Sequence, residues 1–174
     1  MRRRLGVIVA LGALLGLFAG LVTAAPALAG RGHKWQTGPA TPFTLPASFC
    51  GFKLRVTTVI NKEYTKILKT ADGSMIFLFT GAITVSYTNL QTGKAITDKM
   101  SGPGKATIGA DGSITEVHTG RSAFILSPAD AQRFGLPTVS VTTGKLSFSV
   151  GANGVITSLS LHGDVLVNVC AALT

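Results

Sequence analysis

Cysteine, tryptophan, histidine and acidic side chains are all scarce in this 174-residue chain, and each shortage removes a class of function. There are two cysteines, one tryptophan, three histidines and seven acids. Cys50 and Cys170 cannot complete a four-ligand zinc site, and His33, His118 and His162 stand at no ligand-like spacing to them, so no metal is expected. No C-x-x-C pair is present for redox chemistry. The chain has no G-x-S-x-G, no H-E-x-x-H, no phosphate-cradling P-loop and no dinucleotide fingerprint, so the common motif-borne chemistries are missing and no cofactor is expected. Charged residues make up only 13% of the chain, which excludes a coiled coil and a charged disordered tail. The 21 glycines follow no triplet period, which excludes collagen.

What is abundant is Thr, Val, Ile and Gly, a β-rich composition. Long apolar runs occur at one place. Met1-Arg2-Arg3-Arg4 is followed by an uncharged stretch from Leu5 to Ala25, and Ala27-Leu28-Ala29 has the small-x-small pattern of a signal-peptidase site. The expectation is an export signal over residues 1–29, cleaved after Ala29, and a secreted, extracellular protein. An uncleaved N-terminal membrane anchor is the alternative, since about 20 apolar residues can span a bilayer. Pro26 and the glycines of the stretch speak against it. No cysteine sits at the cleavage point to take a lipid.

Two cysteines in an oxidising compartment read as one disulfide, Cys50–Cys170. Residues 30–48 carry Pro39, Pro42 and Pro46 and no periodicity, which predicts a mobile Pro/Gly-rich linker ahead of a single domain over 49–174.

From Phe49 onward the pattern is strand, turn, strand. Alternation predicts strands at Phe52–Ile60, Glu63–Ala71, Ser74–Thr88, Lys94–Met100, Lys105–Gly109, Ser113–Leu126, Thr138–Val150 and Val155–Val169. Asn61-Lys62, Asp72-Gly73, Asn89 to Gly93, Ser101-Gly102-Pro103-Gly104, Asp111-Gly112 and Gly151 to Gly154 supply the turns. Ser127-Pro128-Ala129-Asp130, with Gly135 as the stop, predicts one short helix. Short connections force antiparallel neighbours. The fold expected is therefore all-β: an eight-stranded antiparallel up-and-down barrel with one short helix. Gly81 would bend the long third strand. A Cys50–Cys170 bridge would join the start of the first strand to the end of the last. A two-sheet sandwich is the alternative. Cys170 falls out of parity with Val165, Val167 and Val169, so either Gly51 is a bulge or the last strand ends before Cys170.

Catalytic candidates are few. Asp72 and Asp111 sit in turn dipeptides, and Glu63, Asp98 and Asp130 fall at the ends of expected elements. The acid–histidine pairs at i, i+2 are Glu116/His118 and His162/Asp164. The second points to solvent, because its neighbours of opposite parity are the apolar ones. Glu116 and His118 would point inward on an unbroken strand; a bulge at Gly120 would flip the face and leave both wet, and this is the arrangement expected. Lys53, Arg55, Lys62, Lys66 and Lys69 form the one local cationic cluster, a candidate surface for an anionic cell wall or membrane. Nucleic acid is not the expected partner, because the aromatics lie at core parity rather than between the cations.

The segments F-C-G-F at 49–52, T-N-L-Q-T-G-K at 88–94, S-G-P-G at 101–104, D-G-S at 111–113 and V-C-A-A-L at 169–173 resemble an uncharacterised family of small secreted proteins of high-GC Gram-positive bacteria. The resemblance implies export and a single bridge and transfers no site. The expected architecture is also similar to lipocalins and to dirigent and allene-oxide-cyclase barrels, an analogy of fold alone. Three functions are open: a secreted barrel holding a small apolar ligand in its interior, a structural or interaction protein of the cell envelope with a packed core, and a metal-free enzyme on a small hydrophobic metabolite using Glu116 and His118. Inward-facing Glu116 and His118 would favour the last.

Overall fold

The computed structural model describes residues 41–174, together with the backbone of two short strands before them, β1 (Val9–Leu11) and β2 (Gln36–Thr37). The cleavage point after Ala29 lies outside the described residues. The remaining strands are β3 (Phe43–Leu45), β4 (Leu54–Lys69), β5 (Met75–Asn89), β6 (Ala95–Ser101), β7 (Gly104–Ile108), β8 (Ile114–Ile125), β9 (Val139–Val150) and β10 (Ile156–Asn168). Two short helices join them, α1 (Pro128–Phe134) and α2 (Val169–Ala172). The fold is all-β, with every ladder antiparallel and all strands in one sheet whose hydrogen-bonded path runs β10-β9-β8-β6-β5-β4-β2.

Three expected boundaries are corrected. Asn61-Lys62 is not a turn: β4 runs straight through it, pairing with β5 from Leu54↔Asn89 to Lys69↔Met75. A register shift between Thr58 and Ile60 takes the strain that a turn would have taken, exchanging the buried parity from Leu54 and Val56 to Glu63. Next, β6 and β7 lie end to end along β5, facing Ala82–Thr88 and Met75–Phe79 respectively, so Ser101-Gly102-Pro103-Gly104 interrupts one strand rather than joining two neighbours. Finally, the expected linker is structured at its end. Phe43–Leu45 pairs with Leu54–Val56, and Leu45 is buried in the core.

The helix signals are borne out. Ser127 caps α1 by accepting from Asp130 N at 3.1 Å, and Gly135 ends it in the left-handed conformation at φ 65°. The cysteine parity problem is settled by α2. β10 stops at Asn168, whose side chain caps α2, and Cys170 lies in that helix. The Cys50–Cys170 disulfide is formed, with the two Cα atoms 5.0 Å apart across 120 residues of sequence.

The long strands share one level at which each is kinked. Glu63 pairs with Gly81, Gly102 N donates to Gly81 O, Gly120 pairs with Gly144, and Gly144 pairs with Gly163. These five glycines have φ between 96° and 152°, where a side chain is strained. An added Cβ would also strike the neighbouring strand: it would lie 2.2 Å from Lys62 O at Gly81, 1.8 Å from Thr119 O at Gly102 and 2.2 Å from His162 O at Gly144. A row of glycines through adjacent strands creases the sheet along a line.

Above the crease, toward the disulfide, Leu54, Val56, Val85 and Tyr87 pack against Ala123, Ile125, Val139, Val141, Val169 of α2 and Leu173 just after it. A second cluster gathers Phe124 and Leu126, at the upper end of β8, with Leu146, Ala131 of α1 and Ile156. The same face of β5 thus meets odd residues of β8 above Gly120 and, through Phe79, even residues below it.

Candidate acid–base site

The side chains just below the crease include charged ones. Counting along one face, the pairing register aligns Thr65 of β4, Phe79 of β5, Gly104 of β7, His118 of β8 and Leu146 of β9. Gly104 is a requirement of this row, since a Cβ there would lie 1.9 Å from the Phe79 ring. The missing side chain lets Phe79 reach across to His118, with ring centroids 4.8 Å apart and planes tilted at 49°. One row further from the crease, Glu116 stands between Ala106 and Phe148.

Glu116 is 2% exposed and His118 4% exposed, so the expectation that a bulge at Gly120 leaves both wet is corrected. Gly120 does exchange the inward parity of β8. Its effect falls on the upper half of the strand, turning Ala123 and Ile125 toward the core, while Glu116 and His118 stay inward. The two are hydrogen-bonded through His118 Nε2 and Glu116 Oε1. An ionised Glu116 can only accept, so in that state Nε2 donates and Nδ1 is the nitrogen that Glu116 leaves free.

Glu63 is the residue the sequence reading missed. Placed at the end of an expected strand, it lies instead near the middle of β4, 9% exposed, opposite Gly81. Burial pushes its carboxyl up to about 7; the charge of His118 pulls in the opposite direction and that of Glu116 adds to the rise. The signal that could have found it is the alternation Asn61, Glu63, Thr65, Ile67, which continues without interruption through the supposed turn.

Glu63 and His118 line the same small cleft at the crease, with Phe79, Ile83, Met100 and Arg121. It encloses about 20 Å³, room for about one water molecule. Arg121 closes one side. Its Nη2 donates to Asp98 Oδ2 at 2.8 Å, while its Nε is buried with no hydrogen-bond partner. Asp98 is thus mid-strand in β6 and paired, not at an element end. Chemically the cleft offers an imidazole oriented from behind by a carboxylate, a second carboxyl poised near neutrality, and an unused guanidinium donor. No group of three or more His, Cys, Asp or Glu side chains among the described residues is arranged to hold a metal ion.

The other expected residues fall elsewhere. His162 and Asp164 are exposed on β10, as the parity predicts. Asp72 and Asp111 order their turns by accepting from Ser74 N and Ser113 N, and these bonds with the neighbouring hydroxyls hold both carboxyls below the usual range. Lys53, Arg55, Lys62 and Lys66 share the outward face of the β4 region, because the shift at Thr58/Ile60 turns odd positions outward before it and even positions outward after it. Lys69 has the opposite parity at the strand end and leaves the row. Comparison with known proteins finds no matching family model, no matching curated protein and no matching solved structure.

Proposed function

We propose that the protein is exported and that the cleft at its crease performs acid–base hydrolysis of a small polar substrate. The observation that carries this reading is the burial of Glu63 and His118 around a space the size of one water molecule, with Glu116 buried behind His118. Burying three ionisable groups costs stability unless they are paired or used. Pairing accounts for Glu116 and His118 and leaves Glu63 unexplained.

In this mechanism Glu116 fixes the His118 tautomer and stabilises the imidazolium. His118 Nδ1 removes a proton from water in the cleft, and the water oxygen bonds to the substrate's acyl carbon. Glu63, protonated, gives its proton to the departing oxygen as the acyl–oxygen bond breaks. The free Arg121 Nε is the donor for the oxygen on which negative charge develops. Phe79 holds the imidazole plane and limits water.

Export is supported by the disulfide and by the N-terminal pattern ending at Ala29. Among the described residues no helix is long and apolar enough to cross a membrane. The expected barrel enters here as a sheet curled until the Cys50–Cys170 bridge ties its first long strand to the helix that follows its last. The cleft holds a water and nothing of substrate size, so the ester is read as docking at its mouth with the acyl carbon toward that water; an apolar ligand held wholly inside finds no support, since such pockets run to roughly 300–1,000 Å³.

The test is a panel of small p-nitrophenyl and acetyl esters, with wild type, Glu63→Gln and His118→Asn compared as folded proteins. Wild type should exceed each variant by roughly 10²–10⁴-fold on at least one ester. Equal rates for wild type and His118→Asn across the panel would return the protein to the reading of a packed envelope component.

A further inference from the structure

The outward face of the sheet has a composition that the cleft does not use. Outward on β4 stand Arg55, Ile60, Lys62, Tyr64 and Lys66, with Lys53 just before the strand. Their β5 partners are uncharged: Thr88 opposite Arg55, Thr84 opposite Ile60, Ala82 opposite Lys62, Thr80 opposite Tyr64 and Leu78 opposite Lys66. Across β5, Lys99 of β6 pairs with Thr84 and Lys105 of β7 with Leu78, which sets a second line of cations beyond the first. Asp98, the one acid of β6, has the opposite parity and is held by Arg121. The outward positions of β4 to β7 thus carry five cations and no acid, and Lys53 just before β4 adds a sixth cation.

Between the cations lie exposed apolar side chains. Ile60 is 49% exposed and Tyr64 47% exposed. An apolar and aromatic strip framed by lysines matches the headgroup level of a bilayer, where the ammonium groups meet lipid phosphates and the apolar groups enter the acyl boundary. A soluble polyanion would use the charges and leave Ile60 and Tyr64 in water. A single-stranded nucleic acid needs several ring faces for stacking, and among the described residues Tyr64 is the one aromatic on this face.

We infer that this face of the sheet docks onto a bilayer surface rich in anionic lipid. The cations and apolar side chains of the docking surface are not among the residues that line the cleft, so either can fail without the other.

The experiment is co-sedimentation of the disulfide-bonded protein with phosphatidylcholine vesicles and with equimolar phosphatidylglycerol–phosphatidylcholine vesicles. Binding is expected only to the second, falling as salt is raised. Lys62→Ala/Lys66→Ala should lower partitioning roughly 25-fold, about fivefold per cation. Lys69→Ala, off the row, should change it less than twofold. Ile60→Ser/Tyr64→Ser, with a melting curve matching wild type, should weaken vesicle binding while leaving retention on a soluble polyanion, dextran sulfate, unchanged. Any of three results would overturn the inference: no sedimentation with phosphatidylglycerol vesicles, vesicle binding by Ile60→Ser/Tyr64→Ser equal to wild type, or tighter binding to single-stranded DNA than to the vesicles at the same salt.

Discussion

Replacing Gly144 by alanine tests whether the crease is a constraint on the fold or a tolerated irregularity. Gly144 occupies φ 101°, and a Cβ built there lies 2.2 Å from His162 O and 2.8 Å from Gly163 Cα, all backbone atoms of the adjoining β10. Two costs follow. The conformation itself disfavours an L side chain by about 1–3 kcal/mol. The contact with a carbonyl cannot be relieved by rotating a side chain, so β10 must move and its ladder to β9 near Gly163 must loosen, at about 1–1.5 kcal/mol for each hydrogen bond lost. The sum is about 3–5 kcal/mol, a large part of the 5–15 kcal/mol typical of a domain. Gly154 is the control. Its φ is 76°, yet nothing lies within 4 Å of a Cβ there, so Gly154→Ala should cost about 1 kcal/mol from backbone strain alone. Urea unfolding at a common slope would separate the two by their midpoints. If Gly144→Ala and Gly154→Ala unfold together, the row of glycines is not what shapes the sheet.

Three further outcomes are expected. Cys50→Ser and Cys170→Ser should each lower stability by roughly 2–5 kcal/mol, the chain-entropy value for a loop of this length being about 5 kcal/mol, and the double variant should add little; coincident melting curves for single variant and wild type would refute a role in closing the fold. Glu63 sits above its unfolded value, at about 7, so its contribution is fully present below the unfolded carboxylate value of 4.5 and is lost as pH rises through 7. Glu63→Gln should therefore gain about 2 kcal/mol on wild type between pH 4 and pH 8, allowing for partial solvent access, and parallel stability–pH curves would count against a buried carboxyl. Intact-mass analysis of protein recovered from culture medium should show a chain beginning at Gly30, and a full-length membrane-bound product would contradict export.

Much of the fold was legible because turn chemistry and cap chemistry are local. Asp72-Gly73, Asp111-Gly112 and the Ser127–Gly135 helix need only their own residues, and all stand where the sequence places them. Asn61-Lys62 misled for the converse reason: asparagine favours a turn locally, but pairing with an unbroken β5 outweighs that preference, and a one-residue shift absorbs the conflict. The same error hid Glu63, because a residue assigned to a strand end is not asked which way it faces. Gly81 and Gly120 each drew notice alone. Their alignment with Gly102, Gly144 and Gly163 depends on register between strands, which one chain's periodicity does not contain. The inward position of Glu116 and His118 followed from that same alignment.

The proposed chemistry requires Glu63, Glu116 and His118 to act as one buried acid–base unit beside the cleft. The most direct test is a ¹³C NMR titration of the glutamate side-chain carboxyls, with Glu63 assigned by Glu63→Gln and the experiment repeated in His118→Asn. The expected Glu63 midpoint is near 7 in wild type and higher in His118→Asn, because the imidazole's charge lowers it. A Glu63 midpoint at the solvated value of about 4.3, unmoved by the loss of His118, would contradict the account.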